Sequence, residues 1–146
     1  MSNAKDSRNV ATVKEYYARG DAGRTDLFDL FSDDLKFYFP KFGIGAGKAT
    51  FAEFITGFMT AVKSISHDVA AMRIIEAGGI VVVEGVTNGT YYDDRSWSGG
   101  KTSGGRFCSV FEFNGEGLIN RMHVYLDPDY MGDDARRFLW GESRCW

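Results

Sequence analysis

From residue 66 onward, apolar and polar side chains alternate with a period of two, and this pattern limits the fold more than any other feature of the sequence. Four segments carry it: 67–77, 80–92, 106–113 and 118–128. Short turns separate most of them, and a glycine-rich loop covers 93–105. Four such strands in succession predict an antiparallel meander, in which each strand pairs with the next. Gly85 and Gly89 lie inside the second strand and predict a bulge or a sharp bend there.

The first part of the chain has the periodicity of helices. Residues 7–19 place Val10, Val13 and Tyr17 on one face, and a short helix is predicted after Thr25. The strand 35–39 follows, and a flexible loop is expected over 41–48.

A long amphipathic helix is predicted from Thr50, because Thr50 and Glu53 have the spacing of a capping box. Its apolar stripe requires an apolar surface to cover it. The stripe consists of Phe51, Phe54, Ile55, Phe58, Met59 and Val62.

The length of 146 residues favours a single domain over 1–146. Residues 1–6 are expected to be disordered or a remnant of an expression tag, and 129–146 to form a C-terminal tail with a short helix near 133–140. A formal net charge of -3 argues against nucleic acid as a partner. No apolar run approaches the roughly 20 residues of a membrane helix, and no apolar signal region begins the chain, so a cytoplasmic location is expected.

No cofactor or metal is expected. The segment 41–48 contains three glycines and two lysines, but it has neither the spacing of a phosphate loop nor that of a dinucleotide-binding turn. No group of His, Cys, Asp and Glu has the spacing of metal ligands. The two cysteines, Cys108 and Cys145, are too few for a disulfide framework and are expected to be free thiols.

The strand 118–128 carries the candidate catalytic residues. His123, Tyr125 and Asp127 follow one another on one face, about 6–7 Å apart at the usual rise of a strand. This spacing suits groups that act on different atoms of one ligand, and an apolar pocket would favour their neutral forms. We therefore predict Asp127 as the proton-transfer group, with His123 or Tyr125 polarising a carbonyl. The structural alternative is that Asp127 pairs with an arginine or caps the turn at Pro128.

The order of elements resembles the nuclear-transport-factor-2-like α+β cone, and in particular its SnoaL-like branch. The resemblance rests on Tyr16-Tyr17 in the first helix, the strand 35–39, the capped third helix and the closing segment 117–128. It implies an α+β fold with three N-terminal helices and a curved antiparallel sheet wrapped around a long helix (a cone-shaped, cystatin-like barrel). It also implies a homodimer.

Chemistry known for this fold can be compared with the sequence. Steroid isomerases of the fold use a carboxylate base on the first strand, and 35–39 contains none. Epoxide hydrolases use an Asp-Arg-Asp set, of which only Asp127 has a counterpart here. SnoaL-like cyclases match Asp127 and His123 in type and approximate place. A scytalone-dehydratase-like set would draw on Tyr38, His67, His123 and Asp127. His67 is expected to be structural, and a structural role is also the favoured alternative for His123.

The pocket between sheet and helices is expected to bind a small apolar molecule. Glu84 is expected either to form an ion pair or to act as a second acid/base group. Trp97 is expected either to cover the pocket as a lid or to close the edge of the sheet. Arg106 is expected either to bind an acidic group of the substrate or to form an ion pair. The predicted binding residues are Tyr17, Phe37, Phe39, Phe58, Met59, Glu84, Trp97, Arg106 and Arg121. Two functions follow: a cofactor-independent cyclase, isomerase or dehydratase, or a non-catalytic domain that binds a hydrophobic ligand or mediates dimerisation.

Overall fold

The computed structural model describes residues 6–138. Within them, two α-helices and three 3₁₀ helices accompany one sheet of eight strands. The α-helices are α1 (Arg8–Asp21) and α2 (Gly47–Ala61). The strands are β1 (Phe31–Phe39), β2 (Gly43–Ala46), β3 (Val62–His67), β4 (Arg73–Ala77), β5 (Ile80–Tyr91), β6 (Ser96–Ser98), β7 (Arg106–Phe113) and β8 (Ile119–Leu126).

The first helix begins where the sequence predicts it, because the Ser7 hydroxyl accepts a hydrogen bond from the Val10 N–H at 3.1 Å. The second predicted helix is a 3₁₀ helix over Thr25–Leu30, and β1 begins directly after it. The mixed α+β class is therefore confirmed, with a 3₁₀ turn in place of one of the three expected N-terminal helices.

The predicted capping box of the long helix is wrong. The helix begins at Gly47, three residues before Thr50, and its N-cap, Ala46, makes no side-chain hydrogen bond. The segment 41–48, expected to be a flexible loop, contains β2, which pairs with β1 and leads directly into the helix. The positive φ of Gly47, 82°, makes this tight connection possible.

The sheet follows the order β2-β1-β8-β7-β5-β3, and β4 and β6 also pair with β5. The expectation of a purely antiparallel sheet needs one correction: β1 and β8 run parallel, with Phe37 opposite Met122 and Tyr38 opposite His123. The predicted strand 67–77 is only partly correct: His67 ends β3, a 3₁₀ turn follows at Val69–Ala71, and only residues 73–77 form a strand, β4. The predicted antiparallel pairing of successive strands is observed for β4 with β5 and for β7 with β8.

The long strand β5 changes partners along its length, and this change curves the sheet. Residues 80–86 pair with β7, whereas residues 87–91 pair with β3. The two glycines that predicted a bend lie under aromatic rings. A Cβ at Gly85 would come within 2.9 Å of the Phe107 ring, and one at Gly89 within 2.1 Å of the Trp97 ring. The sheet remains open between β2 and β3.

The helices cover the concave face of this curved sheet. Phe51 of α2 packs against Phe31 and Phe37 of β1, with ring centroids 5.0 and 5.1 Å apart. Val13 of α1 and Phe111 of β7 are fully buried in the same core. No helix in the described residues is long and apolar enough to cross a membrane.

The predicted tail helix near 133–140 is represented among the described residues by a 3₁₀ turn at Ala135–Arg137. Residues 1–5 of the segment expected to be disordered or a tag remnant, Cys145 and the end of the tail lie outside the described residues. Cys108 is a free thiol.

Candidate functional site

The last strand turns its apolar face toward the helices and its polar face outward. Met122 and Val124 are buried in the core, whereas Tyr125 is 49% exposed. The register with β7 shifts between Glu112 and Phe113. This bulge leaves Asn120 as an extra residue, so that Ile119 also faces the core.

The expected orientation of His123 and Tyr125 is therefore wrong, because β8 uses its apolar side to cover the core. These two residues form a polar chain on the outer face with Arg121, another residue predicted to bind substrate. Arg121 donates to Glu112 Oε1 at 2.8 Å and lies 3.1 Å from His123 Nδ1. Burial and the adjacent guanidinium lower the pKa of His123, and Glu112 offsets part of that change.

Asp127 caps a turn, which is the structural alternative drawn from the sequence. It is exposed, and its Oδ1 accepts the N–H of Asp129 across Pro128 at 2.9 Å. The three predicted catalytic residues are thus not brought to the interior of the cone.

A cavity of about 260 Å³ lies between the helices and the concave face of the sheet. Four of the predicted binding residues line it: Tyr17, Phe39, Phe58 and Met59. Most of the wall is apolar, with further contributions from Leu27, Phe28, Phe51, Phe54, Ile55, Ile65, Phe107, Val124 and Leu126. The polar residues that line it are Tyr16, Tyr17, Asp21, Arg24, Thr25, His67, Thr87, Ser109 and Tyr130.

The other predicted binding residues lie elsewhere. Phe37 is fully buried in the core. Glu84 and Arg106 border a shallow groove on the outer face, because their positions in β5 and β7 point away from the helices. Glu84 lies 4.0 Å from Arg73, and both side chains are largely exposed. Trp97 is no lid: it is 2% exposed and donates through Nε1 to Thr87 Oγ1 at 2.9 Å.

One histidine does line the cavity, and a carboxylate holds it. Nδ1 of His67 lies 2.6 Å from Oδ1 of Asp21, and the backbone N–H of His67 donates to Oδ2 at 2.7 Å. Because the carboxylate can only accept a hydrogen bond, we assign the ring hydrogen to Nδ1. This tautomer leaves Nε2 with a lone pair that can accept a proton. Both side chains are about four-fifths buried, with 17% and 20% of their surfaces exposed.

Two tyrosines from α1 stand beside this pair. The Tyr17 ring lies 4.7 Å from the His67 ring, and Tyr16 packs edge-on against Tyr17 at 4.9 Å. Burial, and next the charge of Asp21, raise the pKa of Tyr16. Burial, and next the neighbouring Tyr16, also raise the pKa of Tyr17. Both phenols therefore stay protonated near neutral pH and can donate hydrogen bonds.

The sequence pattern predicts a structural role for His67 and does not single out Asp21. One signal was available: a carboxylate in the last turn of a helix is unfavourable beside the negative end of the helix dipole, so it calls for a partner. Which residue is that partner depends on how β3 packs against the end of α1, and no local pattern contains that information. The residues described in the structure contain no cluster of three or more His, Cys, Asp or Glu that could hold a metal ion.

Comparison with known proteins gives one family and a set of similar folds. The model of the family described as the SnoaL-like domain matches residues 13–122. No curated protein sequence matches the chain significantly.

Several solved structures share the fold. A nuclear-transport-factor-2-like protein from Burkholderia pseudomallei superposes with a TM-score of 0.72 at 20% identity, over 93% of this chain and 100% of that one. TerC, crystallised with polyporic acid, superposes with a TM-score of 0.70 at 21% sequence identity, and the match covers 83% of this chain and 92% of that one. A protein from Xanthomonas campestris labelled as a putative polyketide cyclase superposes with a TM-score of 0.67 at 18% sequence identity, and the match covers 82% of this chain and 90% of that one. These likenesses show the cone-like α+β fold.

Proposed function

This chain belongs to the SnoaL-like domain family, and from that premise we propose that it is a cofactor-independent enzyme of the cyclase, isomerase or dehydratase type. Its substrate would be a small apolar carbonyl or hydroxyl compound held in the cavity. The observation that carries this proposal is the Asp21–His67 pair in the wall of an otherwise largely apolar cavity. A base oriented by a carboxylate in such a setting has the arrangement that general acid/base catalysis requires.

In the proposed mechanism His67 moves the proton. Its Nε2 removes a proton from the carbon next to a substrate carbonyl, and Asp21 stabilises the imidazolium that forms. The same imidazolium then returns the proton to carbon or to a leaving hydroxyl. The Tyr16 hydroxyl donates a hydrogen bond to the substrate oxygen as negative charge develops there.

The size of the cavity limits the substrate. An engineered protein cavity of about 150 Å³ accommodates benzene, so the cavity of about 260 Å³ has room for a compound of about two fused rings. The aromatic wall formed by Phe39, Phe54 and Phe58 suits a flat apolar ring system.

A simple test uses 2-tetralone, a bicyclic ketone whose α-protons exchange with solvent through an enol. Exchange into D₂O is followed by proton NMR with wild-type protein, with His67→Gln and with buffer alone. We expect wild-type protein to accelerate exchange, and His67→Gln to lower the rate by about 10²-fold or more, the usual contribution of a general base. Equal rates for wild type and His67→Gln contradict the proposed role. Asp127→Asn, at the exposed turn, is the control and should exchange at the wild-type rate.

The second candidate function is a non-catalytic domain that binds a hydrophobic ligand, supported by the predominance of aromatic and aliphatic side chains in the cavity. It predicts binding of 2-tetralone without accelerated exchange. Calorimetric titration beside the exchange assay separates the two functions.

We also propose a homodimer formed through the outer face of the sheet. One row of paired residues crosses six strands there: Ile75, Val82, Val110, His123, Tyr38 and Ile44. Of these, Ile75 and Ile44 are 51% and 77% exposed, and such a stripe is typical of a protein contact. Light scattering at micromolar concentration should give the mass of a dimer, and Val110→Glu should give a monomer. A monomeric wild-type mass contradicts this proposal.

The cytoplasmic location stays a prediction that cell fractionation can check.

A further inference from the structure

After β8 the chain turns back toward the loop that precedes β7, in a segment that we call the closing segment, 127–134. Two carboxylates fix its course. Asp127 accepts the N–H of Asp129, and Asp129 accepts the N–H groups of Asp133 and Asp134 at 3.0 and 2.7 Å. The segment touches the loop before β7 so closely that a Cβ at Gly104 would lie 2.3 Å from Tyr130 Cα.

This course inserts Tyr130 into the interior. Its ring stacks on Trp97 with centroids 4.4 Å apart and an interplanar angle of 18°. Trp97 is itself fixed by its hydrogen bond to Thr87. Tyr130 and Trp97 are each only 2% exposed, and Phe58 of α2 packs edge-on against the tyrosine. The tyrosine ring is therefore held in one position before any ligand arrives.

The hydroxyl of Tyr130 has no hydrogen-bond partner within the described residues, although Tyr130 lines the cavity and its oxygen is buried. A buried unpartnered hydroxyl costs about 1–3 kcal/mol, so its presence calls for an explanation. Burial, followed by the neighbouring Tyr91 and Tyr16, raises the pKa of Tyr130, and the group stays a neutral donor and acceptor. Thr, Ser or Phe in this place would not combine the stacked ring with a polar tip.

Tyr130 lines the same cavity as the Asp21–His67 pair. It packs in a buried cluster with Val62, at the start of β3, whereas His67 ends the same strand. A ligand that fills the cavity can therefore meet both the Asp21–His67 pair and the Tyr130 hydroxyl.

We propose that Tyr130 is a second polar anchor of the cavity, so that the substrate is an apolar compound of about two fused rings carrying two oxygen functions. One oxygen is placed at His67 and Tyr16, and the other bonds to the Tyr130 hydroxyl. The placement of one oxygen at His67 and Tyr16 rests on the proposed function. The placement of the other oxygen at Tyr130 rests on the geometry of the closing segment. Tyr130 is accordingly a specificity-determining residue that does not touch the reacting carbon.

The test compares ligands with one and two oxygens. Isothermal titration calorimetry measures the dissociation constants of 2-naphthol and of the 1,5-, 2,6- and 2,7-naphthalenediols with wild type, Tyr130→Phe and Tyr92→Phe. The first variant keeps the stacked ring and removes only the hydroxyl. The second removes a hydroxyl from a side chain that is 61% exposed and serves as the matched control.

We expect wild type and Tyr92→Phe to bind at least one diol about three- to tenfold more tightly than 2-naphthol, the value of one hydrogen bond. In Tyr130→Phe this preference should disappear, while the affinity for 2-naphthol stays within about twofold. The proposal is overturned if no diol binds more tightly than 2-naphthol, if the preference survives in Tyr130→Phe, or if none of the four compounds binds. These titrations measure binding alone, so they are independent of whether His67→Gln slows the exchange of 2-tetralone.

Discussion

The carboxylate of Asp21 holds His67 at two points, with Oδ1 2.6 Å from the ring Nδ1 and Oδ2 2.7 Å from the backbone nitrogen. The two residues are 46 positions apart in the sequence. These contacts therefore join the last residue of α1 to the last residue of β3. The imidazolium that forms during proton transfer would face both the carboxylate and the negative end of the α1 dipole, and each of them stabilises its charge.

Asp21→Asn tests how far the chemistry depends on this pairing. An asparagine has no charge to stabilise the imidazolium, and its amide can donate to Nδ1, which moves the ring hydrogen to Nε2. We expect the exchange rate of 2-tetralone to fall about 10- to 100-fold, with affinity for the ligand changed by less than threefold. Asp29→Asn, at an exposed position of the first 3₁₀ helix, is the control. An unchanged exchange rate in Asp21→Asn would show that the carboxylate serves the fold alone.

Tyr16 and Tyr17 are adjacent in sequence, yet we predict different consequences for their hydroxyls. Tyr16→Phe removes the proposed donor to the substrate oxygen and should lower the exchange rate about tenfold or more. Tyr17→Phe removes a buried hydroxyl without a partner in the described structure. It should leave the free energy of unfolding in urea unchanged or raise it by about 1 kcal/mol. A larger loss of exchange in Tyr17→Phe than in Tyr16→Phe would reverse the assignment.

Sequence periodicity was sufficient for most of the fold. The boundaries of β7 agree with the predicted strand, and α1 begins within a residue of its expected start. The errors occur where tertiary contacts override local preference. The Thr50 capping box has the right spacing, but β2 runs into α2 at Gly47 and leaves Thr50 inside the helix. The parallel pairing of β1 with β8 joins the two ends of the fold, and no local pattern encodes it.

The candidate site was harder to predict because alternation defines two faces and does not say which one is covered. In β8 the row with His123 looked functional, yet the row with Val124 faces the helices. Phe58 and Met59 of the predicted apolar stripe line the cavity, because α2 has only one apolar face. The Asp21–His67 pair required knowledge of the contact between α1 and β3.

The outer-face histidine predicts a measurable dependence of stability on pH. The pKa of His123 is lowered in the folded protein, relative to about 6.5 for an unfolded chain. Above that value the residue is neutral in both states and contributes nothing. As the pH falls through it, the unfolded chain binds more protons and the folded state loses stability.

Urea unfolding at pH 7.5 and 5.5 should therefore show a smaller loss of stability for His123→Gln than for wild type. Glutamine stays neutral and can still accept from Arg121, which lies 3.1 Å from the histidine. All other ionisable groups are common to both proteins, so their contribution cancels in the comparison. An equal or larger loss in the variant contradicts the prediction.

Two glycines with opposite surroundings test the packing that curves the sheet. A Cβ at Gly89 would lie 2.1 Å from Cη2 of Trp97 and 2.4 Å from the carbonyl oxygen of Ser64, so Gly89→Ala forces the ring or the strand to move. We expect it to lower the free energy of unfolding by about 1–3 kcal/mol. Gly57→Ala is the matched control, because that position lies in α2 and a Cβ there meets nothing within 4 Å.

Gly57→Ala should raise the free energy of unfolding by about 0.5–1 kcal/mol, since alanine is the better helix former. Both values come from urea unfolding at one pH. The Trp97 ring supports Tyr130, so a strand displaced by Gly89→Ala should also weaken the preference for naphthalenediols over 2-naphthol. If Gly89→Ala is as stable as wild type, the close approach of Trp97 to β5 does not constrain the bend.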